Sequence, residues 1–443
     1  MTTTEVPPVT AAPPAPRRRP RVVLGRFRTT PARMSVVLFS VVLLGVASGL
    51  VGWFAVQQKF DLVQDMTRHS SPLGASALDI YRSLSDADAT AASAFLTGGS
   101  EPPTLRARYL DSIARAAAAV TAASTNTESG SAGATELMVL SMHLPVYTGL
   151  VETARAINRQ HFPLGAAYLR EASGLMRTTL LPAAERLYRT ENSRLASAQA
   201  KAAAFPSVAV GLGVLTAIVL IAAQVYLTRR TNRVFNIGLV LATVAALAAV
   251  SWIASASVAA ARHVEAGRRE GSTQMHLLAE ARIAAAQARS DEAVTLLARG
   301  SGQESEDHFA AMMLRIQGTD GLLAQASAGT TDPARRAALD ATRDKVVKWM
   351  NTHSRLRESD DKGLHQEAIA LATGSKPDDV PSLFGGVDVG LSDSFAERSA
   401  RFDQEITAAE HDLAGLGLAV PTLTLIIVIG VAVGVQRRIA EYK

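Results

Sequence analysis

The 443-residue chain is 48% hydrophobic but only 5% aromatic; Ala, Leu and Val supply most of its apolar content, a mix that favours helix over sheet. It contains no cysteine, which excludes disulfides, a lipid-attachment cysteine and thiolate metal sites. A formal charge of +5 raises nucleic acid as a partner, but the placement of the charges along the chain removes that reading.

Residues 1–33, including VPPVTAAPPAPRRRPR, read as a disordered, basic, Pro-rich tail. Four later stretches carry no Asp, Glu, Lys or Arg: Met34–Gln58, Phe205–Thr228, Val234–Ala261 and Leu413–Gln436. Each is long enough to cross a hydrocarbon core of ~30 Å at ~1.5 Å per helical residue. We therefore place spans at 34–58, 205–227, 234–258 and 413–435. The first reads as a retained span rather than a cleaved signal peptide, because its apolar run outlasts a signal core. Trp53 and Trp252, near the outer ends of spans one and three, read as membrane-interface anchors.

The tail, the 228–233 loop (Arg229, Arg230, Arg233) and the 436–443 tail (Arg437, Arg438, Lys443) together carry 13 basic and 2 acidic residues, leaving 32 basic and 38 acidic elsewhere. By the positive-inside bias, both termini and the short loop face the cytoplasm of a multi-pass plasma-membrane protein. The five numbered arginines are then candidate contacts for anionic lipid or a cytoplasmic partner, and the excess basic charge is a topology signal.

The segments 59–204 and 259–412 read as extracytoplasmic four-helix bundles. Apolar residues recur at three- and four-residue spacing in LRARYLDSIARAAAAV and AALDATRDKVVKWM, and TDP at 331–333 is a strong helix start. Breakers place helices near 58–97, 104–124, 134–160 and 164–204, and near 262–299, 304–327, 333–361 and 363–412. Ordered matches at an offset of about 200 residues suggest tandem duplication: Trp53 with Trp252, AFLTGG with TLLARG, and LGAAYLREASG with LHQEAIALATG. The offset then lengthens, which implies extra residues in the second half near FGGVDVGLSDS (384–394).

No catalytic pattern is present: the nine histidines are scattered, and there is no phosphate-cradling glycine loop or nucleophile elbow. His161, His365 and His411 read as exposed helix or loop residues. Asp378, Asp379, Asp388 and Asp393 read as a solvated acidic loop rather than a calcium site. An enzyme, a cofactor and a metal are not expected. The spans hold no ionisable group, unlike most transporters. Gly45/Gly49 and Gly430/Gly434 form small-xxx-small pairs that serve helix packing or a homodimer contact, and Pro206 and Pro421 are positioned to kink spans two and four. The cytoplasmic pieces total 47 residues, each too short to bury a core, so an inward message needs a separate reader.

Two copies of span, outer bundle and span look like paired chemoreceptor-type sensor modules without signalling domains. In length, span positions and basic cytoplasmic pieces, the chain resembles the actinobacterial GlnX family. That resemblance implies two partners, the amino-acid-binding GlnH lipoprotein outside and the soluble Ser/Thr kinase PknG inside; no family motif is carried over. The expected function is a transmembrane relay for amino-acid or nutrient sensing, with a structural scaffold of an envelope complex as the alternative. Candidate outer contacts are Gly98, Gly99, His161, Phe162, Phe384, Gly385 and Gly386, at helix junctions and the second-half insertion.

Overall fold

The computed structural model describes residues 30–96, 101–127, 130–159, 164–231, 236–297 and 302–440, and these are all-helical. Four runs are long and apolar enough to cross a membrane, within Leu38–Phe95, Leu164–Arg229, Ile237–Leu296 and Val380–Gly434, consistent with a membrane protein. The chain divides into two compact units.

The first unit holds the described parts of Met1–Val51, Gly211–Val250 and Val420–Lys443. It is built from α1 (Thr30–Asp65), α7 (Ser207–Thr231), α8 (Ile237–Ala266) and α15 (Leu416–Ala440), or the parts of them within these bounds. Its interior is made of small and aliphatic side chains, among them Val41, Leu220, Leu239, Ala242 and Ile427. Its exterior is equally apolar: Phe39, Ile218, Ile237, Leu247, Leu425 and Ile429 are all exposed. Apolar surface on every helix suits a lipid surround rather than water.

Glycines set the helix spacing here. A Cβ on Gly430 would lie 2.6 Å from the Gly238 carbonyl oxygen, and one on Gly238 would lie 2.9 Å from Gly434 Cα. Gly45 and Gly49 face Ile427 and Thr424 of α15. Two amides add polar links: Gln224 Nε2 donates to the Leu239 carbonyl at 2.8 Å and to Thr243 Oγ1 at 2.7 Å, and Asn236 Nδ2 donates to the Gly434 carbonyl at 2.8 Å. α15 continues helically through Pro421.

The second unit holds the described parts of Gly52–Val210 and Ser251–Ala419. α1 passes through a π-helical turn, Met66–Ser70, into α2 (Ser71–Leu96), and α3 (Pro103–Thr125) and α4 (Ala132–Asn158) follow. α5 (Leu164–Leu175) passes through a second π turn, Met176–Leu180, into α6 (Leu181–Ala203). In the other half, α8 passes through Gly267–Ser272, again π-helical, into α9 (Thr273–Leu297). α10 (Gln303–Gln317), α11 (Leu322–Ala328), α12 (Pro333–Asp361), α13 (His365–Thr373) and α14 (Val380–Ala414) complete it. α12 starts where the sequence signals: Asp332 accepts from the Ala334 amide at 2.9 Å and Pro333 is its first residue. The two halves are packed together, α2 against α9, rather than standing apart.

Four sequence expectations are corrected. The helix expected at 304–327 is interrupted at Gly318–Gly321, and the one at 363–412 at 374–379. The chain is not helical at Ala204–Pro206, because proline lacks an amide donor and turns the residue before it away from helix. Residues 384–394 are not a loop but lie inside α14, with Val387 and Leu391 fully buried. Their glycines allow close packing: a Cβ on Gly390 would lie 3.2 Å from Thr342 Cγ2 of α12, and one on Gly386 3.4 Å from Lys345 Cδ.

The glycine contacts of the first unit are open to test. Gly238→Val is expected to lower the thermal midpoint of the full chain in nanodiscs, by about 1–3 kcal/mol in stability terms, because the added side chain overpacks α8 against α15. Gly211→Val, which would meet nothing within 4 Å, is expected to change it little. Equal effects of the two substitutions would contradict this account of the packing.

Candidate functional site

The halves of the second unit meet around one carboxylate. Asp388 of α14 accepts from Arg82 Nε of α2 at 2.6 Å and from Arg282 Nη2 of α9 at 3.5 Å. Arg282 and Asp388 are both buried, so the triad is more than a surface pair. Farther along the seam, Tyr188 lies 3.2 Å from His276 Nδ1 with its ring stacked on the imidazole, and Gln199 donates to Ser272 Oγ at 3.0 Å.

Each half also has a polar knot in its core. In the first, the Arg155 guanidinium lies 4.1 Å from the centroid of the Tyr109 ring and pairs with Glu101 at 2.9 Å. Tyr147 and Ser173 donate to Asp88 at 3.3 and 2.8 Å. Burial pushes the Asp88 carboxyl above its ordinary range, although Ser173, Arg177 and Tyr147 oppose that shift. In the second half, the His353 ring stacks on Phe309 at 3.7 Å, and Trp349 stands edge-on to both Phe309 and Phe384. His353 is held from two sides, by Glu292 of α9 at 2.9 Å and Glu306 of α10 at 3.0 Å. Burial alone would lower its pKa, but the two carboxylates outweigh burial and raise it to about 9. Glu306 also pairs with Arg357, and Glu292 with Arg289 at 3.2 Å, so the knot extends as a chain of alternating charge.

That chain ends at a cleft. A cavity of about 270 Å³ opens between α2 and α3 of the first half and α9, α13 and α14 of the second. Its wall includes Asp86, Thr90, Thr104, Arg108, Arg289 and Ser382. Arg289 is 6% exposed, and it donates from Nη1 to Glu292 and from Nη2 to the Ala372 carbonyl at 3.1 Å. Burial pushes the Asp86 carboxyl up, but hydrogen bonds from Arg108 and Ser112 overcome that and hold it below the usual range. Among the described residues no group of three His, Cys, Asp or Glu could hold a metal ion.

The sequence candidates fall elsewhere. Gly98, Gly99, His161, Phe162 and Arg233 lie outside the described residues, as do the side chains of Arg230, Arg437 and Arg438. Arg229 is exposed. Phe384 is buried against Trp349, and Gly385 and Gly386 are half-buried inside α14, so the predicted junction contact is instead a core position. Asp388 is a buried ion-pair partner rather than part of a solvated loop. Trp53 is half-buried and lies edge-on to Phe54, whereas Trp252 is exposed. His365 pairs with Asp360, and His411 is exposed. The sequence reading passed over Arg289, Glu292 and His353. Their signal is a charge inside an Ala-rich helix (AAAQARSDEAV) and a histidine four residues after a buried tryptophan. It also passed over an apolar stripe on α4, where Met138, Met142 and Val146 are 62%, 63% and 51% exposed at four-residue spacing.

Residues 62–200 match the family model described as actinobacterial sensor domain. The match runs from the end of α1 into α6 and supports an actinobacterial sensor-type protein. No curated protein and no solved structure matches the chain.

The His353 knot gives a pH-dependent stability with a definite sign. Its pKa is raised on folding, so the stabilisation is complete below about pH 6.5 and is lost as pH rises through about 9. His353→Gln is expected to melt earlier than the parent at pH 6, by up to about 3 kcal/mol, with the gap narrowing above pH 9. Thermal scans of both proteins across that range measure it, and a gap independent of pH would contradict the charged-histidine assignment.

Proposed function

We propose that the chain is a transmembrane relay for nutrient sensing, with its second unit outside the cell, its basic pieces inside, and no output domain of its own. The observation that carries this reading is the pair of unbroken helical runs, α1–α2 and α8–α9. Each leads from a membrane-length apolar segment to the seam where α2 and α9 pack. The sensor-domain match over 62–200 supports a sensing role.

In this reading, engagement of the second unit favours one packing of α2 on α9 over another. The shift of about 1–2 Å travels along the two rods. A π turn lies in each rod, at Met66–Ser70 and Gly267–Ser272, and such turns let a helix change register locally. The break at Ala204–Pro206 makes α6–α7 a poorer transmitter. The outer partner is a solute-binding lipoprotein and the inner one a Ser/Thr kinase, the classes implied by the likeness in layout to the GlnX family. The stripe Met138, Met142 and Val146 is the surface we assign to the outer partner, because it is apolar, contiguous and uncovered.

The matching arrangements of the two halves support their origin by tandem duplication. Tyr109 lies under Arg155 as Phe309 lies under His353, and each of these two also meets an acid, Glu101 at 2.9 Å for Arg155 and Glu292 at 2.9 Å for His353.

The relay is tested by photo-crosslinking from Arg229 in native membranes, with and without amino acids in the medium. Adducts with a cytoplasmic protein are expected to change with nutrient; adducts that form equally in both states would favour a scaffold. Four glycines inserted after Gln57 are expected to abolish the nutrient dependence, while the same insertion at Ala204 has a smaller effect. Met142→Glu is expected to leave the thermal midpoint unchanged and to abolish capture of the outer partner; unchanged capture would remove the stripe from this role.

A further inference from the structure

The cleft between the two halves joins three features that favour a negative charge. Arg289 is the first. Of its five N–H donors, two are taken up, by Glu292 and the Ala372 carbonyl. Its buried side chain forms part of the cleft wall, which places the guanidinium beside the cavity. The second feature is Arg108, whose charge is shared with Asp86, the one carboxylate on the wall among the described residues. Asp86 also accepts from Ser112 Oγ at 2.6 Å, so it is already engaged by a guanidinium and a hydroxyl. The third is backbone: Thr104 lies in the first turn of the 23-residue α3, and Ser382 in the first turn of the 35-residue α14. Two long helices thus begin at the cavity wall, where their dipoles favour negative charge although the Ser382 amide already donates to the Asp379 carbonyl at 3.1 Å.

We propose that this cleft binds a small organic carboxylate, with the carboxylate oxygens on Arg289 and the carbon skeleton against Ala89, Leu105 and Pro381. The chemistry excludes the other classes in turn. A cation meets two arginines and no free carboxylate. An inorganic oxyanion leaves the apolar part of the wall uncovered. A volume of about 270 Å³ admits a metabolite of a few carbons but not a peptide or a nucleotide. The proposal rests on the sensing reading for its purpose, because the cleft walls come from both halves and a ligand there ties α2 and α3 to α9 and α14. Its chemistry does not depend on that reading. The ligand also meets the end of the charged chain running through Glu292 to His353, so occupancy alters the partners of a residue buried on α9.

The test uses the full chain in nanodiscs and isothermal titration with sodium acetate, lactate, succinate, L-aspartate and L-glutamate. Sodium phosphate and sodium chloride at matched ionic strength are the controls. At least one carboxylate is expected to bind saturably. Its affinity is expected to fall about tenfold or more in Arg289→Gln, which removes a charge-assisted contact. Ser382→Trp, at an exposed position of the wall, is expected to block binding while leaving the thermal midpoint in place, and it decides the matter should Arg289→Gln fail to fold. Three results overturn the proposal: no saturable binding by any carboxylate, binding of phosphate alone, or carboxylate binding that Ser382→Trp leaves intact. Binding is read without any partner. A carboxylate that binds while the Arg229 crosslinks stay constant sinks the relay and keeps the site, and nutrient-dependent crosslinks without carboxylate binding do the reverse.

Discussion

One buried carboxylate organises the second unit. Asp388 on α14 is shared by Arg82 of α2 and Arg282 of α9, so three helices from both halves converge on a single charge. A buried ion pair is a poor source of net stability, since desolvation consumes most of the attraction. Its value is selectivity: an alternative packing of α2 on α9 that leaves any of the three groups unpaired is strongly disfavoured. α2 and α9 themselves pack on each other and bury small and aliphatic side chains, among them Ala77, Leu84, Ala281 and Ala284, whose burial supplies cohesion.

The same principle explains why the cleft lies where it does. Charged groups gather along α9, from Arg282 through Arg289 to Glu292: Arg282 pairs with Asp388 of α14, Arg289 with Glu292 on α9 itself, and Glu292 also with His353 of α12. The cavity opens where that line of charges reaches the first turns of α3 and α14. A sensor needs a place where weak energies choose between packings. A polar seam of paired charges beside a metabolite-sized gap meets that need better than a uniformly apolar core.

Much of the fold was legible because it depends on local chemistry. The four apolar runs are visible as absences of charge, and the helix starts at Pro103 and Pro333 are visible as proline in a first turn. The α14 segment misled for a physical reason. FGGVDVGLSDS has the glycine content of a loop, yet Val380, Leu383, Val387, Leu391 and Phe395 keep a helical three-to-four spacing through it. There glycine serves close approach to α12, a tertiary demand that the local sequence does not display. The seam was illegible for the same kind of reason: Arg82, Arg282 and Asp388 are separated by 200 and 106 residues, and nothing in one segment marks its partner. The cleft was missed because Arg289 and Arg108 look like ordinary helix-surface residues until the halves are docked.

The central claim is that the two halves form one body, locked at Asp388. The absence of native cysteine makes a direct measurement simple. Spin labels at Ala107→Cys on α3 and Ser354→Cys on α12, both exposed, report the separation of the halves by pulsed electron resonance in nanodiscs. The account gives a single narrow distance that broadens in Asp388→Ala. A broad distribution in the unmutated seam, or a narrow one unaffected by loss of Asp388, would contradict it.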